Sequence, residues 1–340
     1  MKSREAYKGS RLRLKHALVA SALFTLLMAF SPRMFAQTDM MLTQYWAVPT
    51  YYNPAATGDT DYLRIRAAGK LQWLGIKNAP MGFGLLADAP LQIGKQRIGL
   101  GLEAQYEELG LFKNTDIALQ ASYKFKLFKG TFSIGLEAGY FMQTFRGSKV
   151  DLPDNDDYHE SNDEAIPNQD LTGNTFDFSA GLQYTHKWFY VGIGGKHLLQ
   201  PKIKMAAEGT ESTETAEFES EVSRMVYFTA GSNIPIKNTL FELQPSILLK
   251  SDFSTFGGEL DLRATYNKFL TFGAGYRYKE AVSVMVGATF KNFYIGYAYD
   301  YPLSAISKAS SGSHEVVLGY QVKLDFSQKN KNKHRSIRFM

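Results

Sequence analysis

The sequence predicts an all-β protein: a transmembrane antiparallel β-barrel of about fourteen strands, with a plug-like segment at its N-terminal end. Three observations predict it. Apolar and polar residues alternate with period two over most of the chain, which is a strand signal because successive side chains point to opposite faces. The alternating segments often run 10–14 residues, as tilted membrane strands of about 9–11 residues do, whereas soluble strands centre on about 5–6. The connections between them sort by length into two sets, as the two ends of a barrel would.

Two segments illustrate the first point. In "TFSIGLEAGYFMQ" the even positions Phe132, Ile134, Leu136, Ala138, Tyr140 and Met142 are apolar, while Thr131, Ser133, Gly135, Glu137, Gly139 and Gln143 alternate with them. In "NTFDFSAGLQYTH" the apolar face is Phe176, Phe178, Ala180, Leu182 and Tyr184. The face opposite the apolar one carries Arg97, Glu103, Asp116, Lys124, Glu137, Asp177, Asp261, Arg263 and Arg277. Mixed charges on one face suit a polar lumen, and the apolar face suits lipid.

Read in order, the segments fall at 62–73, 81–88, 96–108, 114–127, 131–145, 174–186, 188–199, 222–234, 239–250, 258–266, 269–279, 281–290, 292–300 and 314–326. Fourteen is even, as closure of an antiparallel barrel requires. Short connections follow the even-numbered segments, and the three long ones follow the fifth, seventh and thirteenth. Short turns belong on the periplasmic side, which places both termini in the periplasm. Two segments fit less well. Pro245 falls on the apolar face, where it lacks a ladder donor, and "FYVGIGGKHLL" turns either Lys196 or His197 toward lipid. Both predict a bulge or register change near the rim.

The first 36 residues read as a secretory signal peptide. A basic region with Lys2, Arg4, Lys8, Arg11, Arg13 and Lys15 precedes an apolar run from Ala17 to Phe30, too short to span a bilayer. Cleavage after Ala36 removes seven of the 38 Lys and Arg residues and one of the 33 acids, so the formal charge falls from +5 to about −1. That balance gives no case for nucleic acid. The absence of cysteine excludes disulfides and lipid attachment through a cysteine.

Residues 37–61 form the N-terminal periplasmic or plug segment. "QYWAVPTYYNPAATGD" concentrates Tyr45, Trp46, Tyr51 and Tyr52 around Pro49 and Pro54, with Gly58 near its end. Prolines deny it a central strand, and so many aromatics exceed what a solvated linker exposes. The expectation is a segment that begins on the periplasmic side and tucks into the mouth or lumen, with Asn53-Pro54 making a turn. A periplasmic docking tag is the alternative.

Little else suggests chemistry. The acidic loop 146–173 departs from calcium-loop spacing, because Tyr158 occupies a ligand position; it reads as a solvated loop, with divalent-ion or partner contact as the alternative. The loop 200–221 reads as disordered from its Glu, Thr and Ser run. The six histidines form no ligand pair, and Ser313 and His314 are adjacent on a strand and so face opposite ways. No enzyme and no cofactor is expected. Residues 327–340 form a basic periplasmic tail after the barrel at 62–326.

Three motifs carry a family resemblance. "QYWAVPTYYNPAATG", "QWLGIKNAPMGFGL" and "SHEVVLGY" resemble signatures of the PorP/SprF family of Bacteroidetes outer-membrane proteins, linked to type IX secretion and gliding motility. Tyr45, Trp46, Tyr52, Asn53, Pro54, Ala55 and Gly58 lie in the first, Gln72, Trp73, Ala79 and Pro80 in the second, and His314 and Glu315 in the third. Asn78 stands where the family usually has glycine. The resemblance implies a non-enzymatic outer-membrane barrel that helps secreted proteins reach or stay on the surface. Its implied partners are the C-terminal domain of a secreted surface protein at the extracellular loops, and a periplasmic type IX ring lipoprotein or peptidoglycan-binding lipoprotein inside. These motif residues are the candidate plug or partner contacts. A channel or transporter for small or hydrophobic solutes is the alternative.

Overall fold

The computed structural model describes residues 39–94, 96–150, 169–207 and 218–324. The leader 1–36, most of the acidic loop and the basic tail lie outside them. Seventeen strands form in chain order: β1 (Tyr62–Leu71), β2 (Met81–Ile93), β3 (Gln96–Leu109), β4 (Phe112–Leu127), β5 (Gly130–Arg146), β6 (Asp170–Thr185), β7 (Phe189–Lys196), β8 (Lys202–Ala207), β9 (Phe218–Glu221), β10 (Met225–Ser232), β11 (Ile234–Pro235), β12 (Phe241–Ser251), β13 (Phe256–Tyr266), β14 (Leu270–Arg277), β15 (Ala281–Phe290), β16 (Phe293–Pro302) and β17 (Ser313–Lys323). β8 and β9 pair with each other and are not part of the ring of walls, and β11 continues the line of β10. The remaining fourteen walls pair antiparallel in sequence order, and β1 closes the ring on β17, Tyr62 opposite Lys323 through Leu71 opposite His314.

The alternation decides which face meets lipid. On β5, Ile134, Leu136, Tyr140 and Met142 are exposed while Ser133, Gly135, Glu137, Phe141 and Gln143 are buried inside. Outward leucines such as Leu119, 68% exposed, and Leu136, 63% exposed, mark the apolar band. Aromatic pairs cluster where the short connections lie: Phe125 with Phe132, Phe241 with Tyr266 and Phe293 with Tyr320, ring centroids 4.8–5.3 Å apart. Others, such as Tyr140 with Phe176, lie toward the opposite end. These are the interfacial belts of a membrane barrel.

The strand ends sort as the sequence predicted. At one end, the short-turn end, β2, β4, β6, β13 and β15 each pass to the next strand within a few residues. The other, the long-loop end, carries the connections after β1, β5, β7 and β16. β2 runs on to Ile93 rather than stopping at residue 88, because Pro90 sits in its ladder without breaking the register to β3. β5, at 17 residues, would measure about 56 Å fully extended, so it and its neighbours overhang the bilayer.

Two expectations at the rim are corrected. Register does not change opposite Pro245: Gly231 faces Ser246 and Ile234 faces Leu243, the same spacing on both sides. The interruption between β10 and β11 falls beside the proline, where the ladder N–H is missing. Neither Lys196 nor His197 meets lipid. His197 adopts a left-handed φ of 54° as the chain leaves β7, so both adjacent side chains turn inward and are buried.

The reading of the loop 200–221 as disordered is also corrected, over the described residues 200–207 and 218–221. β8 and β9 form a hairpin whose Ile203 and Met205 are fully buried against Phe141, Leu171 and Val222. β8 pairs with the inner side of β6, Leu171 opposite Ala207, and Ile203 and Lys204 occupy the space a side chain at Gly173 would fill. Alternating apolar residues in "KIKMA" make this strand; the Glu and Thr run beside it hid them.

Candidate functional site

The feature that fills this fold is the segment before β1. It forms short helical turns at Tyr45–Ala47, Pro49–Tyr52 and Pro54–Ala56. Pro49 and Pro54 each open a turn, where the missing N–H costs nothing. The Asn53 side chain caps the last turn by accepting from the Ala55 N–H at 2.9 Å. Gly58, at φ 63°, then swings the chain toward β1, so close to Ala89 and Gly99 that a Cβ would collide with both backbones.

This segment traverses the lumen rather than tucking into one mouth. Asp39 lies at the long-loop end, accepting from the Tyr227 hydroxyl at 2.5 Å and paired with His197 at 3.0 Å. Asp61 lies at the short-turn end, paired with Arg97 at 2.8 Å. The described segment therefore starts at the end opposite to the one expected.

Its polar groups are satisfied from all round the wall. Near the long-loop end, Glu315 accepts the N–H groups of Thr43 and Gln44 at 2.6 and 2.7 Å. Lys70 donates to Met41 O, Thr43 Oγ1 and Asp300, and Arg277 bridges Glu259 and Asp300 at 2.9 and 3.2 Å. Midway, Tyr45 donates to Ser246 at 3.0 Å, Asn53 to the Leu182 carbonyl at 3.0 Å, and Gln120 to the Thr50 carbonyl at 3.1 Å. Toward the short turns, Lys124 donates to Ala55 O, Ser122 to Thr57 O, and the Gly58 N–H to Asp88. Buried backbone groups need such partners, and the inward polar parity of the strands supplies them.

Apolar packing accompanies the hydrogen bonds. Tyr45, Tyr51 and Tyr52 are each about fully buried, and Tyr52 packs edge-on against Tyr51 and Tyr227. Met40, Met41, Leu42 and Val48 join them in one core with Leu248 and Val317. Backbone approaches the wall where it is glycine: side chains at Gly135 and Gly194 would overlap Pro54–Ala55 and Tyr52–Asn53.

Asp39 shows the electrostatics of the contact. Burial by itself would raise its carboxyl, but the facing His197 imidazolium, with Lys196 and the Tyr227 hydroxyl, outweighs that and holds it well below the usual carboxylate range. Burial likewise opposes the His197 cation, and Asp39 and Asp177 outweigh it and lift it to about 10.

The motif residues divide between two places. Tyr45, Tyr52, Asn53, Pro54, Ala55, Gly58 and Glu315 meet inside the lumen. Trp46 lies at the edge of a cavity of about 380 Å³ toward the short-turn end, bounded by Pro49, Asp59, Arg64, Tyr190 and Arg263. The Arg263 guanidinium stacks on its ring at 3.9 Å. Gln72, Trp73, Ala79 and Pro80 instead shape the β1–β2 connection at the long-loop rim, where Gln72 donates to the Pro80 carbonyl and Trp73 N–H to Ser313 Oγ. His314 points outward beside Tyr297, 2.7 Å from its hydroxyl. Ser313 and Glu315 point inward, as strand parity requires.

Sequence reading missed Asp39 and Thr43 as contact residues of this segment, and Lys70, Asp300, Tyr227 and Glu107, which accepts from the Met40 N–H and the Tyr51 hydroxyl, as its partners on the wall. Inward parity would have flagged Lys70, Glu107 and Asp300; nothing local marks Asp39 or Thr43.

A closed fourteen-stranded antiparallel barrel with an apolar outer band, aromatic belts and a polar interior is a barrel of the outer-membrane class. It is similar in fold to the Ralstonia pickettii toluene transporter TbuX (12% identity, covering 80% of this chain and 92% of that one, TM-score 0.45). It is also similar to Acinetobacter baumannii outer membrane protein Omp33 (5%, 77% and 97%, TM-score 0.42) and to the P. putida toluene transporter TodX (10%, 81% and 93%, TM-score 0.42). No curated protein matches the chain. Residues 34–320 match the family of type IX secretion system membrane proteins PorP/SprF, and the chain belongs to that family.

Proposed function

We propose that this outer-membrane protein works through its two rims rather than through its lumen. In this reading it anchors, or assists the surface display of, secreted adhesin-like proteins. Their C-terminal domain docks on the long-loop rim. The short-turn rim, where Asp61 ends the N-terminal segment, contacts a periplasmic type IX ring lipoprotein or a peptidoglycan-binding lipoprotein.

The observation that carries this reading is the filled lumen. A segment hydrogen-bonded to β1, β4, β6, β12 and β17 alike occupies the interior where a solute path would run, and the β8–β9 hairpin packs inward beside it. Type IX family membership supports a role beside secreted protein. The rule that short turns face the periplasm supports the assignment of the two rims.

Crosslinking with mass spectrometry in native cells tests it. Recovery of a secreted protein's C-terminal domain on residues 72–80 or 303–312, and of a periplasmic lipoprotein on the opposite rim, is expected. Recovery of neither class of partner would sink the reading. Large, steady conductance of the purified barrel in planar bilayers would instead favour a solute channel.

A further inference from the structure

The lumen wall carries an excess of buried carboxylates that the N-terminal segment does not neutralise. Glu103, Glu107, Asp116, Glu137 and Asp177 on the wall are all buried, as is Asp39 on the segment, and the cations paired with this group are Lys196 and His197. Buried charge without a counter-charge is expensive and draws in either protons or a cation.

Three of these acids converge. Glu103 on β3, Asp116 on β4 and Glu137 on β5 each place one carboxylate oxygen within 4.8 Å of the others. Gln120 donates to Glu103 at 2.8 Å and to Glu137 at 2.6 Å. Gln105 also donates to Glu103, and Ser179 to Glu137 at 2.8 Å. Lys196 reaches Glu103 at 3.2 Å. Asp116 differs: it is 6% exposed, and its Oδ1 is buried with no hydrogen-bond partner. It sits in the space left by Gly139, where a Cβ would press on that same oxygen.

We propose that Glu103, Asp116 and Glu137 form a divalent-cation site inside the lumen, suited to calcium. All three donors are hard oxygens, the ligand class of calcium and magnesium. Their oxygens, all within 4.8 Å of one another, can surround one ion, and a cage of fixed wall carboxylates suits the flexible coordination of calcium better than magnesium, which demands near-ideal octahedral geometry and dehydrates reluctantly. Three carboxylates and the Lys196 ammonium sum to two negative charges, which one such ion balances. The unpartnered Asp116 oxygen gains a ligand bond.

The ion would also lock the segment to the wall. Gln120, which spans two of the acids, accepts from Thr57 Oγ1 at 2.9 Å and donates to the Thr50 carbonyl. Lys196, paired with Glu103, lies 4.5 Å from the centre of the Tyr51 ring. A cation here therefore braces β3, β4 and β5 under the helical turns of the segment.

The test uses the protein refolded in detergent without lipopolysaccharide, which would itself bring divalent ions. It is equilibrated with millimolar calcium, desalted and analysed for metal by mass spectrometry. About one calcium per chain is expected, falling severalfold in Asp116→Asn and Glu137→Gln, both near-isosteric. Heat-modifiable migration reports whether each variant is folded. Wild type should also melt higher with calcium than with EDTA, since an ion bound only by the folded state stabilises it. Magnesium should give a smaller rise. Wild type without stoichiometric metal and with a melting point indifferent to calcium would overturn the site, leaving the acids to share protons. Equal calcium in wild type and both folded variants would overturn it too, placing the ion elsewhere. If neither variant folds, the melting of wild type with and without calcium decides.

Discussion

Thr43 donates its backbone N–H to the Glu315 carboxylate at 2.6 Å, across 272 residues of chain. The first described stretch of the protein is thus held by its last strand, and β17 in turn closes on β1. Glu315→Gln keeps the volume but removes the charge that strengthens this bond, its neighbour from Gln44 and the contact with Lys70 at 3.5 Å. Charge-assisted bonds contribute about 1.5–3 kcal/mol, so a loss of about 2–3 kcal/mol is expected. Equilibrium unfolding of the detergent-solubilised barrel measures it, and an unchanged midpoint would contradict the assigned role.

Removing residues 44–58 should open the barrel. Wild type is expected to pass little current in planar bilayers, and the deletion to give steady, large conductance. Gly135→Leu offers a gentler version, because its side chain would occupy the place of Pro54 and Ala55. A deletion that leaves conductance unchanged would show that the lumen is blocked by something other than this segment.

The Asp39–His197 contact sets a pH window. Asp39 has a depressed folded pKa, so its contribution is present above the ordinary carboxylate value of about 3.9 and is lost only as pH falls further. His197 is raised to about 10, so its contribution is complete below about 6.5 and fades as pH rises toward the folded value. The segment should stay docked from mild acid to pH about 9 and loosen beyond either limit. With Trp73 and Trp188 replaced by phenylalanine, Trp46 fluorescence followed against pH reports this. His197→Gln should remove the alkaline limb.

The outer band makes a depth-dependent prediction. Leu119 lies mid-strand on β4 and is fully lipid-facing, so Leu119→Arg should destabilise folding into bilayers by about 2–4 kcal/mol. Gln120→Leu, one residue along, would instead disturb the lumen hydrogen bonds. Folding titrations into lipid vesicles separate the two.

The inward hairpin should come loose on its own. Ile203→Ala removes a fully buried side chain from the cluster with Phe141 and Leu171, costing about 2–4 kcal/mol locally. Faster proteolysis within 200–221 is expected while the heat-modifiable barrel persists. Simultaneous loss of both would tie the hairpin to global stability.

The walls were legible because a barrel strand repeats one local rule. On β5 and β6 every inward and outward position follows from counting in twos. Failures came where that count is broken or hidden. His197 leaves the period through a left-handed backbone, which no composition signals for a histidine. Ile203 and Met205 alternate for only a few residues beside an acidic run, so their burial was masked by their neighbours. The lumen contacts were the least legible: Thr43 with Glu315 and Asp39 with Tyr227 are pairings at long range, which no local pattern encodes. Pro245 misled in the other direction, since a missing N–H left a gap in one ladder without shifting any residue.

A rod that lies through a ring imposes an order on how the ring is made. Residues 39–61 are translated before any wall strand, yet Thr43 waits for Glu315, among the last residues of the wall to emerge. Sliding the segment into a finished cylinder would drag Tyr45, Tyr51 and Tyr52 past inward-facing Lys, Arg and Glu side chains. The sheet therefore has to curl around a segment already lying between its edges, and the seam between β1 and β17 is the last to zip. A factor that inserts this protein into the membrane must hold that seam apart until its cargo is wrapped around its own beginning.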